Sequence, residues 1–256
     1  MPIIQSVDRA LQILDLFDEY TTELKITEIS ELMNLHKSTV HSLLKTLQKK
    51  GYIRQNEENG KYALGMKLFE RGNYIIQSLD IRQVAKKYLL DLSLATGQTT
   101  HLAIMDGKEG VYMDKMEGSK AVILYSRIGR RISLHCSAVG KALIAFNPSE
   151  DIKKLLKDYV YYKQTENTIT NEVDFMGELE KVRNEGYSID DQENEPGVRC
   201  VAVPIRNYKN QVIAAISIST LAASVDDHQL NEFIEMLKQA CSEISEQMGY
   251  GTPVRT

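Results

Sequence analysis

Residues 26–65 read ITEISELMNLHKSTVHSLLKTLQKKGYIRQNEENGKYALG, and their spacing decides the first half of the fold. Ile26 to Asn34 predicts a short helix that buries Ile29, Leu32 and Met33. Lys37 to Lys50 predicts another, with Val40, Leu43, Leu44 and Leu47 at the i, i+3, i+4, i+7 spacing of a buried stripe. Gly51 ends it, with lysines in the last turns where the carbonyl end of the helix dipole favours cations. Two strand-like runs, Tyr52-Ile53-Arg54-Gln55 and Lys61-Tyr62-Ala63-Leu64, flank Asn59-Gly60, a strong hairpin signal. Upstream, Ser6 is placed to cap a first helix in which Val7, Ala10, Leu11, Leu14 and Phe17 recur at helical spacing. Three helices and a hairpin in so short a span make a winged helix–turn–helix.

Charge sharpens that reading. The 256-residue chain has a formal net charge of −4, which excludes a generally basic polyanion-coating protein. Yet residues 32–56 carry five cations, Lys37, Lys45, Lys49, Lys50 and Arg54, and no acidic residue. No apolar stretch approaches the roughly 20 residues that span a bilayer. The N-terminal Met1-Pro2-Ile3-Ile4-Gln5 has neither the basic nor the apolar region of a signal peptide. Cys136, Cys200 and Cys241 are widely spaced with no CxxC, which fits reduced thiols. Together these predict a cytoplasmic protein without membrane, metal or other cofactor.

The boundaries follow from pattern changes. Residues 1–65 form the winged helix–turn–helix, 66–79 a linker helix with an apolar stripe, 80–250 a second domain and 251–256 a tail. The second domain mixes a helix near Val84–Leu94 with a meander of Thr99–Met105, Gly110–Met116 and Val122–Arg127. Helices near Ala138–Phe146, Glu150–Lys157 and Glu172–Glu185 precede strands Val198–Ile205 and Gln211–Ser219 and a last helix, Asp226–Met248. The fold class is therefore α+β, with a C-terminal α/β sensor domain of the GAF/PAS-like kind.

On the Lys37–Lys50 helix the face opposite the apolar stripe presents Ser38, Ser42, Lys45 and Lys49, with His41 beside them. Short hydroxyls near a helix start suit base edges or phosphates, and the lysines further along suit the backbone of duplex DNA. Lys37 and Thr39 share that helix start, while Arg54 and Lys61 on the hairpin are placed for flanking phosphates. The plainer alternative is a solvated charged face on which Ser38 or Thr39 caps the helix. The conjunction of helix–turn–helix, acid-free basic stripe and wing favours DNA.

Ile26-Thr27-Glu28-Ile29, Lys37-Ser38-Thr39-Val40-His41, Gly51-Tyr52-Ile53 and Tyr62-Ala63-Leu64-Gly65 resemble the IclR-type bacterial transcription regulators. The second half agrees independently. Leu134-His135-Cys136-Ser137-Ala138-Val139-Gly140-Lys141-Ala142-Leu143 resembles the family's LH-x-x-A-x-GKA segment, and Gly186–Asp190 leading to Gly197–Pro204 resembles its effector loop. One departure is Ser42, where the family usually places Arg. One winged helix reads only a few base pairs, so specificity on double-stranded operator DNA implies a homo-oligomer, dimer or dimer of dimers. The resemblance implies a small-molecule site where the helix start at Ala138 and Val139, Asp190, Cys200, Ser217 and Ser219 converge, with Leu124 and Ile132 as an apolar wall.

Read without the family, Ser217 and Ser219 share one face of a strand and Ile216 and Ile218 the other. The serines are either core hydroxyls bonded to backbone or donors lining a pocket. The helix start at Ser137–Gly140 offers free amides to a carboxylate, so a small organic acid is the expected effector. An ionised Asp190 would repel it, so Asp190 must face a hydroxyl or hold a proton. His135 reads as a structural hydrogen-bonding residue, and the acidic run from Asp190 to Glu195 as a solvated loop. Two rivals keep the chemistry elsewhere: a redox trigger at Cys136 or Cys200, and a protein-interaction adaptor. An enzyme is not expected, since no nucleophile elbow, P-loop, dinucleotide fingerprint or HExxH occurs.

Overall fold

Two helices joined by a four-residue turn organise the N-terminal part of the computed structural model, which describes residues 3–18, 20–77, 80–120 and 126–251. Its elements are α1 (Gln5–Asp15), α2 (Ile26–Leu32), α3 (Lys37–Lys49), β1 (Ile53–Gln55), β2 (Tyr62–Leu64) and α4 (Met66–Gln77). The turn after α2 closes as a Schellman motif: Leu35 N–H donates to Ser30 O at 3.1 Å and Asn34 N–H to Glu31 O at 3.1 Å. Asn34 takes the left-handed φ of 49° that this motif needs. Gly51, at φ 77°, ends α3 the same way, with Tyr52 N–H on Leu47 O.

Ile13, Phe17, Leu24, Ile29, Val40, Leu44, Leu47, Ile53 and Tyr62 form one buried cluster beneath α3. The wing is tied to it by a reciprocal backbone pair between Leu24 and Tyr62 and by β1–β2 register Ile53↔Leu64. Three expectations change. The N-cap of α1 is Ile4 with no side-chain bond, so Ser6 does not cap it. Leu32 is 62% exposed because α2 ends there and turns its last residue outward. Val7 and Leu11 keep helical spacing but face solvent.

Gly65 is fixed by space rather than by φ. A Cβ there would stand 2.2 Å from Gly51 O and 2.9 Å from Tyr52 C, and backbone cannot yield cheaply. Gly65→Ala is expected to destabilise the winged unit by about 3 kcal/mol. Gly60→Ala, in open space at φ 69°, should cost about 1 kcal/mol. Thermal melts of the two variants check the ranking.

Contacts cluster into two units, Met1–Leu79 and Asp80–Thr256. The second contains α5 (Asp80–Thr96), β3 (Thr99–Asp106), β4 (Glu109–Met116), β5 (Arg131–Ser133), α6 (Ala138–Ile144), α7 (Ser149–Leu155) and α8 (Glu172–Glu185). It continues through β6 (Ser188–Asp191), β7 (Val198–Arg206), β8 (Val212–Leu221) and α9 (Asp227–Gln247). Six strands make one antiparallel sheet in the order β5-β4-β3-β8-β7-β6. Strands β5 and β6 escape the sequence reading because each is three or four residues long, too short for a period-two signal. Of the expected strand Val122–Arg127, residues 122–125 lie outside the described residues, and Ser126 and Arg127 are not in a strand.

Small side chains let α6 sit close on the sheet. Ala103, Ala202 and Ala215 meet Ala138, Val139, Ala142 and Leu143 in the core that also holds Phe175 and Leu179 of α8. Gly140 completes this approach, since a Cβ there would lie 2.6 Å from Leu134 Cα and 2.7 Å from Ser133 O. Helices α5 and α9 pack on each other and on β3 and β7. Among the described residues no helix is long and apolar enough to cross a membrane.

Candidate nucleic-acid interface and ligand pocket

The apolar side of α3 is consumed by Val40, Leu44 and Leu47. That leaves Lys37, Ser38, His41, Ser42, Lys45 and Lys49 exposed and Thr39 half-buried. The N-cap of α3 is His36, with no side-chain bond, so the capping role considered for Ser38 and Thr39 is not what those hydroxyls do. Ser42 turns inward on its own helix, donating to Ser38 O at 3.0 Å, while Thr46 donates to Ser42 O at 2.9 Å. Such back-bonding satisfies a hydroxyl without a partner outside the helix. On the wing, Arg54 is exposed and Lys61 half-buried. Glu23 lies beside them: its carboxyl is held below the ordinary range first by Asn59 and Asn56, then by Lys61 and Arg54. The wing cations therefore have an acid for company, and the helix cations stand in an acid-free stretch.

The second site is a cavity of about 30 Å³ between α6 and the sheet. Register brings its wall together: Ser217 of β8 pairs with His101 of β3 and Ala202 of β7, and Ser219 pairs with Cys200. Because side chains alternate along a strand, Ser217 and Ser219 face the α6 side with Ala215. Ile132, Ala138, Val139, Asp190, Cys200, Ser217 and Ser219 all line the cavity. Leu124 lies outside the described residues.

Within the first turn of α6, Ser137 Oγ accepts from Gly140 N–H at 3.1 Å. The amides of Ala138 and Val139 precede any partner the helix itself can offer. Asp190 Oδ1 accepts from Glu193 N–H at 2.7 Å and Asn194 N–H at 3.3 Å. Burial nonetheless pushes its carboxyl up to about 7, so it is partly protonated near neutrality. His101 is pulled down to about 3 by burial and then by Lys115, which leaves it neutral. It bonds Ser126 Oγ through Nε2 at 2.8 Å and Ser219 Oγ through Nδ1 at 3.5 Å. Among the described lining residues Arg130 is the one Lys or Arg.

His101, Tyr112, Ser126 and Arg130 line the cavity without having been singled out from the sequence, and Asn194 and Glu195 of the run expected to be a solvated loop are half-buried and line it too. A histidine on the same strand face as Thr99 and Ala103 is a usable signal for His101; the turn residues carry no periodicity. His135 is structural, held by Tyr159 Oη at 2.9 Å and Tyr162 O at 3.0 Å. The thiols argue against a redox trigger. Burial lifts Cys136 to about 12 and lifts Cys200 too, whereas reactive cysteines need a depressed value. No group of three metal-ligating side chains occurs among the described residues.

Residues 6–57 match the IclR helix-turn-helix domain and residues 73–246 the C-terminal domain of the bacterial transcriptional regulator IclR. The chain belongs to the IclR family. It is 58% identical to the HTH-type transcriptional regulator XynR of Escherichia coli K12, over 98% of this chain and 99% of that one. To the KdgR regulator of the same organism it is 38% identical, over 96% and 94% of the two chains. The Thermotoga maritima IclR crystal structure superposes with a TM-score of 0.80 at 35% identity, covering 97% of this chain and all, 100%, of that one. An IclR homologue from Microbacterium hydrocarbonoxydans, complexed with 4-hydroxybenzoate, shares the fold at 23% identity and a TM-score of 0.82, over 95% and 98%. As an IclR-type protein the chain is a DNA-binding transcriptional regulator and not an enzyme.

Proposed function

We propose that a small organic acid, bound between α6 and the sheet, sets the affinity of this regulator for its operator. The carrying observation is the cavity at Asp190, Ser217, Ser219 and the Ala138–Val139 amides, where register and a helix start converge polar groups in an apolar setting. The carboxylate would take Arg130 and those amides, and hydroxyls of the acid would meet Ser217, Ser219 and Asp190. The 4-hydroxybenzoate of the Microbacterium homologue is itself a carboxylate, in keeping with this reading.

On DNA, α3 would enter the major groove with Ser38, Thr39 and His41 toward base edges. Lys37, Lys45 and Lys49 would face the phosphates, as would Arg54 and Lys61 on the wing. Ser42, already bonded within its helix, would contribute contact rather than charge. One such unit reads few base pairs, so specificity calls for a dimer on a two-fold operator. Exposed Val7 and Leu11 of α1 and Phe69 of α4 offer apolar surface for that seam. Ligand would act by binding the two operator-affinity states unequally.

A gel shift on DNA upstream of the protein's own gene, with nonspecific competitor and a salt series, tests the DNA half. A specific shift that weakens steeply with salt is expected. A protein that shifts specific and competitor DNA alike would overturn the assignment of base-reading residues.

A further inference from the structure

At about 30 Å³ the cavity holds a water or two, whereas a benzene-sized guest needs about 150 Å³. Some wall must therefore shift to admit an organic acid. Strands β3, β7 and β8 are interior to the sheet, and every residue of α6 is buried. The walls outside regular structure are the β4–β5 connection, which contributes Ser126 and Arg130, and the β6–β7 loop, which contributes Asn194 and Glu195; the second carries a buried ionic anchor. Left-handed residues bracket it, Gln192 at φ 60° and Gly197 at φ 76°.

What holds this loop down comes from outside it. Thr165 Oγ1 donates to Gln192 O at 2.7 Å, Thr168 Oγ1 to Glu193 O at 2.6 Å, and Asn167 Nδ2 to Asp191 O at 3.1 Å. Beneath it, Lys141 is fully buried and reaches Glu193 Oε1 at 2.6 Å and Glu178 Oε1 of α8 at 3.4 Å. Glu193 Oε2 is buried with no partner among the described residues, so this carboxylate relies on a single strong cation contact. Removing that cation strands a buried charge, which water then draws out.

We infer that Lys141 is a positioning residue, the latch of a gate formed by residues 192–197 over the pocket. The Lys141–Glu193 pair and the Thr165–Thr168 turn keep the gate shut. Its hinges are Gln192 and Gly197. The gate rests on reading the cavity as an effector pocket, but its opening is measurable with no effector present.

Cys136 is the reporter, because its buried Sγ lies 3.6 Å from Asn194 Oδ1 under the loop. Cys241, buried against Val203 O, is the internal control. The native full-length chain is alkylated with iodoacetamide and each cysteine is followed by mass spectrometry. Lys141→Met should accelerate labelling of Cys136 on the order of tenfold or more and leave Cys241 unchanged. Loss of the Lys141 charge by itself lifts the Cys136 pKa and slows labelling, so acceleration reports opening. Thr165→Val, at a half-buried turn, should give a smaller acceleration of the same selectivity and decides the matter if Lys141→Met does not fold. Unchanged Cys136, or equal acceleration of Cys136 and Cys241, would overturn the gate. Failure of every organic acid to bind, with selective labelling intact, would instead sink the effector reading alone.

Discussion

Replacing Lys37, Lys45 and Lys49 together by alanine should weaken specific operator binding about a hundredfold near physiological salt. The slope of log K against log salt should fall by about 3 in the same variant. Each lysine that meets a phosphate releases about one counterion, which is worth roughly fivefold in affinity at that ionic strength. All three stand exposed on α3, and none forms an ion pair among the described residues. Their removal therefore takes nothing from the fold, whose core lies on the opposite face of the helix. Fluorescence anisotropy on operator and on random DNA separates the roles. Loss should be nearly uniform across sequences, as phosphate contacts carry no base information. An unchanged salt slope would remove these lysines from the interface.

The second large effect belongs to the pocket. Arg130→Met should weaken binding of an organic-acid effector about 10- to 100-fold, the worth of a charge-assisted hydrogen bond. Asp190 acts with the opposite sign. Its carboxyl, raised to about 7 by burial, is neutral below that pH and anionic above it. An anionic ligand beside it is favoured by the protonated form, so affinity should fall as pH rises through 7. The groups facing Asp190 include Glu193, Lys141, Cys136, Cys200 and Tyr112; burial raises both thiols and the phenol, which keeps them neutral across this window. Asp190→Asn should flatten the pH profile and strengthen binding at pH 8. Calorimetry with a panel of organic acids at pH 6 and pH 8 checks both variants. A profile that survives in Asp190→Asn would assign the titration elsewhere, with Glu193 next in line because burial raises it as well.

Most of the fold was legible because its signals are periodic or conformational. Val40, Leu44 and Leu47 mark α3, Gly51 its end, and Asn59-Gly60 the wing, and each stands where expected. Helix α8 begins at Glu172 behind an Asn171 cap, and α9 at Asp227 behind the Asp226 capping box; side-chain chemistry announces both. The misses have a common cause. Leu32 and Ser6 sit at helix ends, where one residue of drift reverses exposure or moves a cap. Strands β5 and β6 acquire their identity only from neighbours, through pairs such as Gly110↔Ile132 and Asp190↔Cys200.

The pocket divides along the same line. Ser217 and Ser219 were visible through period two, and the Ala138 helix start through its small residues. His101 and Arg130 come to the wall by long-range pairing and a turn, which no local pattern encodes. Lys141 shows the limit most sharply: nothing in the run GKA tells that its ammonium is fully buried between two glutamates 37 and 52 residues away in the chain.

Operator affinity measured with and without each acid of a panel, for the wild-type chain and for Arg130→Met, decides whether the pocket controls DNA binding. At least one acid should shift wild-type affinity by about 5- to 150-fold. In Arg130→Met the same shift should need about 10- to 100-fold more acid. A shift that needs no more acid in Arg130→Met, or a wild-type affinity indifferent to every acid that binds the protein, would contradict that control.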